Sequence, residues 1–345
     1  MNMMYKVALL PGDGVGPELT ETTLRVVDAI KDKFGLKLKF TELEAGDACL
    51  NRRGTALPEE TVNAIKDSHA CLKGPVGETA ADVIVKLRIM FDLYANIRPI
   101  KCYPNVPCLR DDIDLVFVRE NTEDLYKGFE FMLDDTAIGL RVITRKGCER
   151  IARKAFEIAE ERNKKRAVTS VHKANVMRVT CGLFAKVCRE VAKSYPDVTL
   201  NEQYVDVASM RLIKEPQNYD VIVTTNVFGD ILSDEAAQLV GGLGMAPGAN
   251  IGDEFALFEP IHGSVPTRVG KHTVNPCSMI LSAKMMLEWL GKRYNDATCL
   301  KAAEAVEAGV TEALRKGLTV PDFGGNLKTV EMGEAIANEI VHLNV

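Results

Sequence analysis

Short runs of aliphatic and β-branched residues alternate along this chain with segments whose apolar positions recur every three to four residues. The runs 5–10, 36–40, 70–72, 115–118, 140–143, 168–171 and 221–224 predict strands. Between them, Leu19, Val26, Val27, Ile30 and Phe34 fall on one helical face. A second helix begins near Pro58, a residue suited to a first turn. Further helices are expected at about 80–93, 147–162 and 177–193, and the pattern after Phe258 is mostly helical, at 277–290, 300–315 and 330–341. Such alternation indicates an α/β protein with a largely parallel sheet. Two stretches interrupt it: 97–107 holds three prolines and 241–252 holds five glycines. Both are candidate crossings between domains, and two crossings would join the termini in one domain and make the middle of the chain the other.

The length of 345 residues allows roughly two domains, each with its own core. A net charge of -5 argues against a chain built to bind nucleic acid, and no block of like charge or internal repeat occurs. The first apolar run is too short for a signal peptide, and no run of about 18 apolar residues exists to span a membrane. Nine cysteines include no CxxC pair and no zinc-type spacing with the five histidines, which suits a reducing, cytoplasmic compartment.

Two features carry candidate chemistry. Gly12-Asp13-Gly14-Val15-Gly16-Pro17-Glu18 follows a strand and opens a helix, but its glycine spacing is not the G-x-G-x-x-G of a Rossmann loop. Anion binding and a plain tight turn both fit it. The second feature is Asp230 and Asp234, spaced i and i+4, which on a helix puts two carboxylates on one face about one turn apart. Ile231 and Leu232 are expected to turn toward the core and anchor that helix. Paired carboxylates repel unless solvated, protonated or bridged by a cation, and hard oxygen donors suit Mg²⁺ or Mn²⁺. Arg88, Arg98 and Arg119 supply the context. Arg119 closes an apolar strand, where a guanidinium needs a partner, and the three together can clamp a dicarboxylate.

The segments Arg119-Glu120-Asn121-Thr122-Glu123-Asp124-Leu125-Tyr126, His172-Lys173-Ala174-Asn175-Val176 and Asn226-Val227-Phe228-Gly229-Asp230-Ile231-Leu232-Ser233-Asp234 closely resemble the β-decarboxylating dehydrogenases. These are the isocitrate, 3-isopropylmalate, homoisocitrate and tartrate/malate enzymes. Gly12–Glu18, Asn96–Pro99, Phe258-Glu259-Pro260-Ile261-His262-Gly263-Ser264 and Asn275-Pro276 extend the resemblance over nearly the whole chain. It implies a two-domain α/β fold of the isopropylmalate dehydrogenase type, not Rossmann, with a mixed parallel and antiparallel sheet flanked by helices. The expected domains are 1–98 with 253–345 on the cofactor side, and 99–252 with the dimer interface and metal site.

The resemblance further implies Arg88, Arg98 and Arg119 on the substrate carboxylates. It puts Asp230 and Asp234 on the metal with Asp206 reaching across from the other subunit, and brings Lys173 likewise from that subunit of a homodimer, or of a higher oligomer built on it. Lys173 takes the hydroxyl proton, Asp206 counts among the catalytic residues, and Tyr126 protonates the enolate left by decarboxylation. The nicotinamide cofactor is expected along His262, Gly263, Ser264, Val265 and Pro266, with Asn275 on the adenine side. Thr267 stands where NAD-using relatives carry Asp, and the adjacent Arg268 can pair with a 2′-phosphate, so NADP is favoured over NAD. Asp82 and Ile84 stand where isocitrate enzymes present Ser and Asn, and Ile84 with Val85 offers an apolar wall that favours an alkyl-substituted malate, 3-isopropylmalate above all, as in leucine synthesis. Isocitrate, homoisocitrate, D-malate and 3-methylmalate remain alternatives. A non-catalytic regulatory subunit is a rival reading from another class.

Overall fold

The computed structural model describes residues 3–343. Ten strands form one mixed sheet: β1 (Met4–Leu10), β2 (Lys37–Glu42), β3 (Ala70–Lys73), β4 (Ala95–Lys101), β5 (Asp114–Glu120), β8 (Ala167–His172), β9 (Thr199–Tyr204), β10 (Val221–Thr224), β11 (Pro247–Ile251) and β12 (Ala256–Pro260). β6 (Glu130–Leu133) and β7 (Thr136–Gly139) pair separately as an antiparallel hairpin. The sheet order is β2-β1-β3-β12-β11-β4-β5-β10-β8-β9. Both wings are parallel, β2-β1-β3-β12 on one side and β5-β10-β8-β9 on the other. The centre is antiparallel, because β11 runs against both β12 and β4, and β4 against β5.

The expected α/β class with a mixed sheet is therefore what the chain forms. Three details differ. The proline-bearing segment after Ala95 is a central strand. β4 pairs with β5 over its whole length but with β11 only at 95–97, so Pro99, which lacks an N–H, lies beyond the β11 ladder. The run 140–143 is not a strand; Val142 makes only an isolated bridge to Asp124, and the local pairing goes to β6 and β7. Strands β9, β11 and β12 and the helices Asp47–Arg53 and Val205–Lys214 lie where no element was expected.

Side chains alternate across a strand, so the two faces of the central strands differ in kind. One face carries Ile97, Val116, Val118, Ala249 and Phe258 and belongs to a continuous core. Helices Gly16–Phe34, Cys277–Tyr294, Ala297–Arg315 and Thr329–His342 pack in this core with Arg145–Arg162 and Thr180–Ala192. The other face has two separate cores. Ile100, Leu115, Phe117 and Val171 pack under helices Val205–Lys214 and Asn226–Gln238; Ala8, Leu10, Cys71 and Leu257 pack with Ile65, Val83 and Leu87. Between these two cores the sheet presents polar side chains.

Candidate active site

Register assembles the polar gap. Asn96 pairs with Arg119 across β4 and β5, and Asn250 pairs with Asn96 across β11 and β4. Gly248, two residues before Asn250, is opposite Glu259. With a period of two, Asn96, Arg98, Arg119, Asn250 and Glu259 project from the same face. Arg88 joins them from the short helix Lys86–Met90, which follows a π-helical turn at Ala81–Val85. Such turns are frequent at functional sites. The helix expected over 80–93 is thus divided between these two elements.

All three arginines are buried, with Arg119 only 1% exposed. Arg119 donates through Nε and Nη2 to the Asn226 side chain, at 3.0 and 2.7 Å, and through Nη1 to Asp230 Oδ1. Gly229 is required where Arg119 passes: a Cβ there would lie 2.6 Å from Arg119 Cγ. Arg98 donates to Ser233 Oγ at 2.8 Å and Asp234 Oδ1 at 3.0 Å, and reaches Asp230 Oδ1 at 3.3 Å. The Tyr126 hydroxyl donates to Asp230 Oδ2 at 2.5 Å, and its ring stacks under the Arg119 guanidinium. Arg88 donates to Asn250 Oδ1 at 2.9 Å and Glu259 Oε1 at 3.1 Å. Lys73 completes the group 2.8 Å from Glu259 Oε2. Four cations therefore face the three carboxylates Asp230, Asp234 and Glu259, an excess positive field suited to an anionic ligand.

The charges tune one another. Burial lowers the Arg119 pKa to about 9, helped by the neighbouring Arg98 and Arg88 charges and opposed by Asp230. Burial would raise Asp230, but Arg119, Arg98 and the Tyr126 hydroxyl outweigh it and hold the carboxyl below its usual range. Asp234 goes the other way, raised by burial and by the Asp230 charge despite Arg98. Burial, with the Asp230 hydrogen bond and charge, keeps the proton on Tyr126, against the pull of Arg119. Burial pushes Glu259 up as well, yet Lys73 and Arg88 bring it down to about 2.

The helix Asn226–Gln238 holds the acidic pair in place because its first turn is tied down twice. Asn226 is gripped by Arg119, and the Val227 N–H donates to buried Asp124, itself paired with Arg141 at 2.6 Å. Leu232 faces the core as expected, but Ile231 does not: it is 63% exposed. Gly229, Leu232, Ser233 and Ala236 form the buried stripe, and Ile231 points away from it. It shares its exposure with Val176, Val179, Met210 and Ile213. Ser209 donates to Glu235 at 2.9 Å, tying the helix bearing Met210 and Ile213 beside the one bearing Ile231.

Asp206 and Lys173 form a separate pair, Oδ1 to Nζ 2.7 Å, away from Asp230 and Asp234. The Lys173 hydrogen bond holds the exposed Asp206 carboxyl below its usual range. Among the described residues, no group of three or more His, Cys, Asp or Glu side chains can hold a metal within one chain. Asp230 and Asp234 by themselves fall short of such a group.

The segment from His262 to Thr267 is a partly open loop packed on the glycine-rich turn, with Val15 N–H donating to Ser264 O at 3.0 Å. One glycine of that turn serves this contact. Gly14 has φ 59°, and a Cβ there would sit 2.0 Å from Ser264 O. Asp13 turns inward and accepts the Asp47, Ala48 and Gly77 N–H groups. Val265 adopts φ 43°, a strained conformation for a β-branched residue. His262 is buried with Nε2 lacking a partner, and Asn275 is committed to Met245 Sδ and the Cys277 N–H. Arg268 pairs with Asp322 at 2.7 Å. Ile84 is built into the core and Val85 is half-buried, while Asp82 points outward to Lys86.

A cavity of about 740 Å³ lies behind the sheet, lined by Ile97, Pro99, Val116, Ala249 and Phe258. These residues alternate with those of the site and project oppositely, so this space is distinct from the arginine cluster. Its cations are matched by neighbouring acids, as in Lys101–Glu307 and Lys292–Glu161.

Lys73, Asn250 and Glu259 were not among the expected site residues. The signal existed for Lys73, which ends an apolar strand just as Arg119 does, and for Glu259, which follows the apolar run 255–258.

The sequence matches the isocitrate/isopropylmalate dehydrogenase family over residues 6–336. It is 52% identical to the 3-isopropylmalate/3-methylmalate dehydrogenase of Methanocaldococcus jannaschii, covering 98% of this chain and 99% of that one. It is 49% identical to the 3-isopropylmalate dehydrogenase of Methanothermobacter thermautotrophicus, covering 97% and 98%. The crystal structure of isocitrate dehydrogenase from Methylococcus capsulatus superposes with a TM-score of 0.91 at 41% identity, covering 98% of this chain and all of that one. The chain belongs to the isocitrate/isopropylmalate dehydrogenase family and is a dehydrogenase of that type.

Proposed function

We propose that this enzyme oxidises 3-isopropylmalate at C2 with a nicotinamide cofactor and then releases the β-carboxylate as CO₂, giving 2-oxoisocaproate. The observation that carries this reading is the convergence of Arg88, Arg98 and Arg119 on one face of the sheet beside Tyr126 and the Asp230–Asp234 pair. Two 3-isopropylmalate dehydrogenases at about half identity over nearly full length support the substrate. The name of the first relative favours 3-methylmalate as a second substrate, since an apolar pocket separates such homologues by only ~1–3 kcal/mol per methylene.

Asp230 and Asp234 would hold Mg²⁺ or Mn²⁺ together with a second copy's Asp206. Hard oxygen donors one helical turn apart fit such an ion, and both carboxylates are partly open, their side chains 36% and 48% exposed. When bound, the ion supplies Lewis acidity toward the substrate hydroxyl and the later enolate oxygen. The arginines bind and orient the diacid bidentately. Lys173, held by Asp206, takes the hydroxyl proton. The cofactor would supply the acceptor for the C2 hydride; once the β-carboxylate has left the β-keto acid as CO₂, Tyr126 returns a proton to the enolate carbon. The exposed Ile231, Val176, Val179, Met210 and Ile213 support a homodimer that brings Asp206 and Lys173 to the other copy's site. In this reading residues 99–252 form the domain carrying the interface and acidic pair, and 1–98 with 253–345 the cofactor side.

The cofactor would lie along the 262–268 loop, whose partnerless His262 Nε2 fits a polar ligand atom. Thr267 and Arg268 favour NADP; the Asp322 carboxylate opposes it, because a 2′-phosphate would have to displace it from Arg268. Thr267→Asp is expected to move the NADP/NAD ratio of kcat/KM toward NAD by about tenfold, and an unchanged ratio removes the role of this loop in cofactor choice. The substrate assignment is tested with Mn²⁺ and both cofactors against 3-isopropylmalate, isocitrate, homoisocitrate and D-malate. The isopropyl compound is expected to lead in kcat/KM by about tenfold or more. A lead by either tricarboxylic acid rejects it.

A further inference from the structure

The substrate arginines do not stand alone in the gap between the two cores; one fully buried amide ties them together. Asn250, on β11, is completely inaccessible. Its Oδ1 accepts from Arg88 Nε, Asn96 Nδ2 and Asn121 Nδ2, each at 2.9 Å. Its Nδ2 donates to Glu259 Oε1 at 2.8 Å, the same oxygen that receives Arg88 Nη2. Asn96 in turn accepts Arg98 Nε at 2.6 Å through its own Oδ1. Arg88 is thereby fixed along one edge by Asn250 and Glu259, and Arg98 is fixed through Asn96.

We infer that Asn250 is a positioning residue, which sets the guanidinium planes of Arg88 and Arg98 for a two-carboxylate ligand while touching none of it. The inference rests on the arginine-clamp reading above. An uncharged amide suits the task for a physical reason. It offers an acceptor to Arg88 without contributing a charge that would compete with the ligand's carboxylate, and its donor side satisfies Glu259. Glu259 is already balanced by Lys73 at 2.8 Å, so its charge does not cancel that of Arg88 alone. β11 also joins the two parallel wings, so Asn250 fixes Arg88, from the residues before β4, relative to Arg98 on β4.

The test uses the full-length enzyme and its preferred diacid. Asn250→Ala is expected to raise the diacid KM by about tenfold or more while leaving the cofactor KM within about twofold, because guanidinium orientation affects only the ligand it grips. A general loosening of the sheet would move both. Asn250→Asp keeps the acceptor but brings beside Arg88 the charge that the amide avoids, so its diacid KM should rise by about tenfold or more, with the cofactor KM again within about twofold. Should Asn250→Ala fail to fold, the Asp variant decides: a diacid KM within about twofold of wild type there overturns the proposal. Arg88→Lys separates the proposal from the reading beneath it. If that substitution leaves the diacid KM unchanged, the clamp itself is wrong. If it raises KM while Asn250→Ala does not, only the positioning role fails. On the Arg88→Lys background the Asn250→Ala effect should shrink, since part of what Asn250 orients is gone. Fully additive losses would overturn it too.

Discussion

Asp230→Asn is expected to lower kcat/KM by about a thousandfold or more with Mn²⁺ present, while the far-ultraviolet circular dichroism stays that of the wild type. Asp230 sits where Arg119, Arg98 and Tyr126 converge, so on the proposed reading neutralising it removes an ion ligand along with the counter-charge. The fold should survive, because Arg119 keeps its hydrogen bonds to Asn226 and Leu232 keeps its place in the core. Retained turnover would discard the metal role. The same variant probes the shared site. In a symmetric dimer with Asp206 acting across the interface, refolding a mixture of inactive Asp230→Asn and Asp206→Asn chains creates heterodimers with one intact site. About a quarter of wild-type activity should return at equal mixing. If Asp206 acts within its own chain, mixing restores nothing.

Tyr126→Phe has the second largest expected effect, a fall in kcat of about 10²–10⁴-fold. Its hydroxyl reaches Asp230 Oδ2 at 2.5 Å, and burial with the Asp230 charge keeps it protonated, as an acid must be before it acts. The loss should fall on proton return to the enolate more than on hydride transfer. With substrate deuterated at C2, the isotope effect on kcat should therefore shrink toward unity, because a later step becomes slow. An isotope effect that stays large would mean that hydride transfer is what the variant impairs, and the acid would have to be sought elsewhere.

Much of this site is legible before any coordinates, since its parts lie in long local motifs whose internal bonds explain their length. Within the segment 119–126, Glu120 accepts the Thr122 and Glu123 N–H groups, and Glu123 accepts Thr144, so most of that motif builds the turn that delivers Tyr126. What pattern could not supply is long-range. Asn250 lies 154 positions from Asn96, and only the antiparallel β11–β4 pairing brings them together. Its segment reads as a glycine-rich crossing because Gly248 and Gly252 hide a strand only five residues long. Ile231 is instructive in the other direction. An apolar residue beside a core leucine reads as core, and nothing in a single chain's periodicity separates a buried apolar residue from an exposed one next to it. The proline of β4 misleads for a local reason: its missing N–H matters only where a ladder needs it, and the β11–β4 pairing stops at Ile97.

The strand order also dictates how this protein must be born. β3 is complete once residue 73 has been made, yet one of its two flanking strands, β12, begins at residue 256. During synthesis the N-terminal wing waits with an open edge while more than half the polypeptide follows it. The strands β5, β8, β9 and β10 all lie between residues 114 and 224 and can pair among themselves far sooner. The later-made half of the sheet therefore has the shorter route to closure, and the first-made strands carry the longer exposure to off-pathway association on the ribosome.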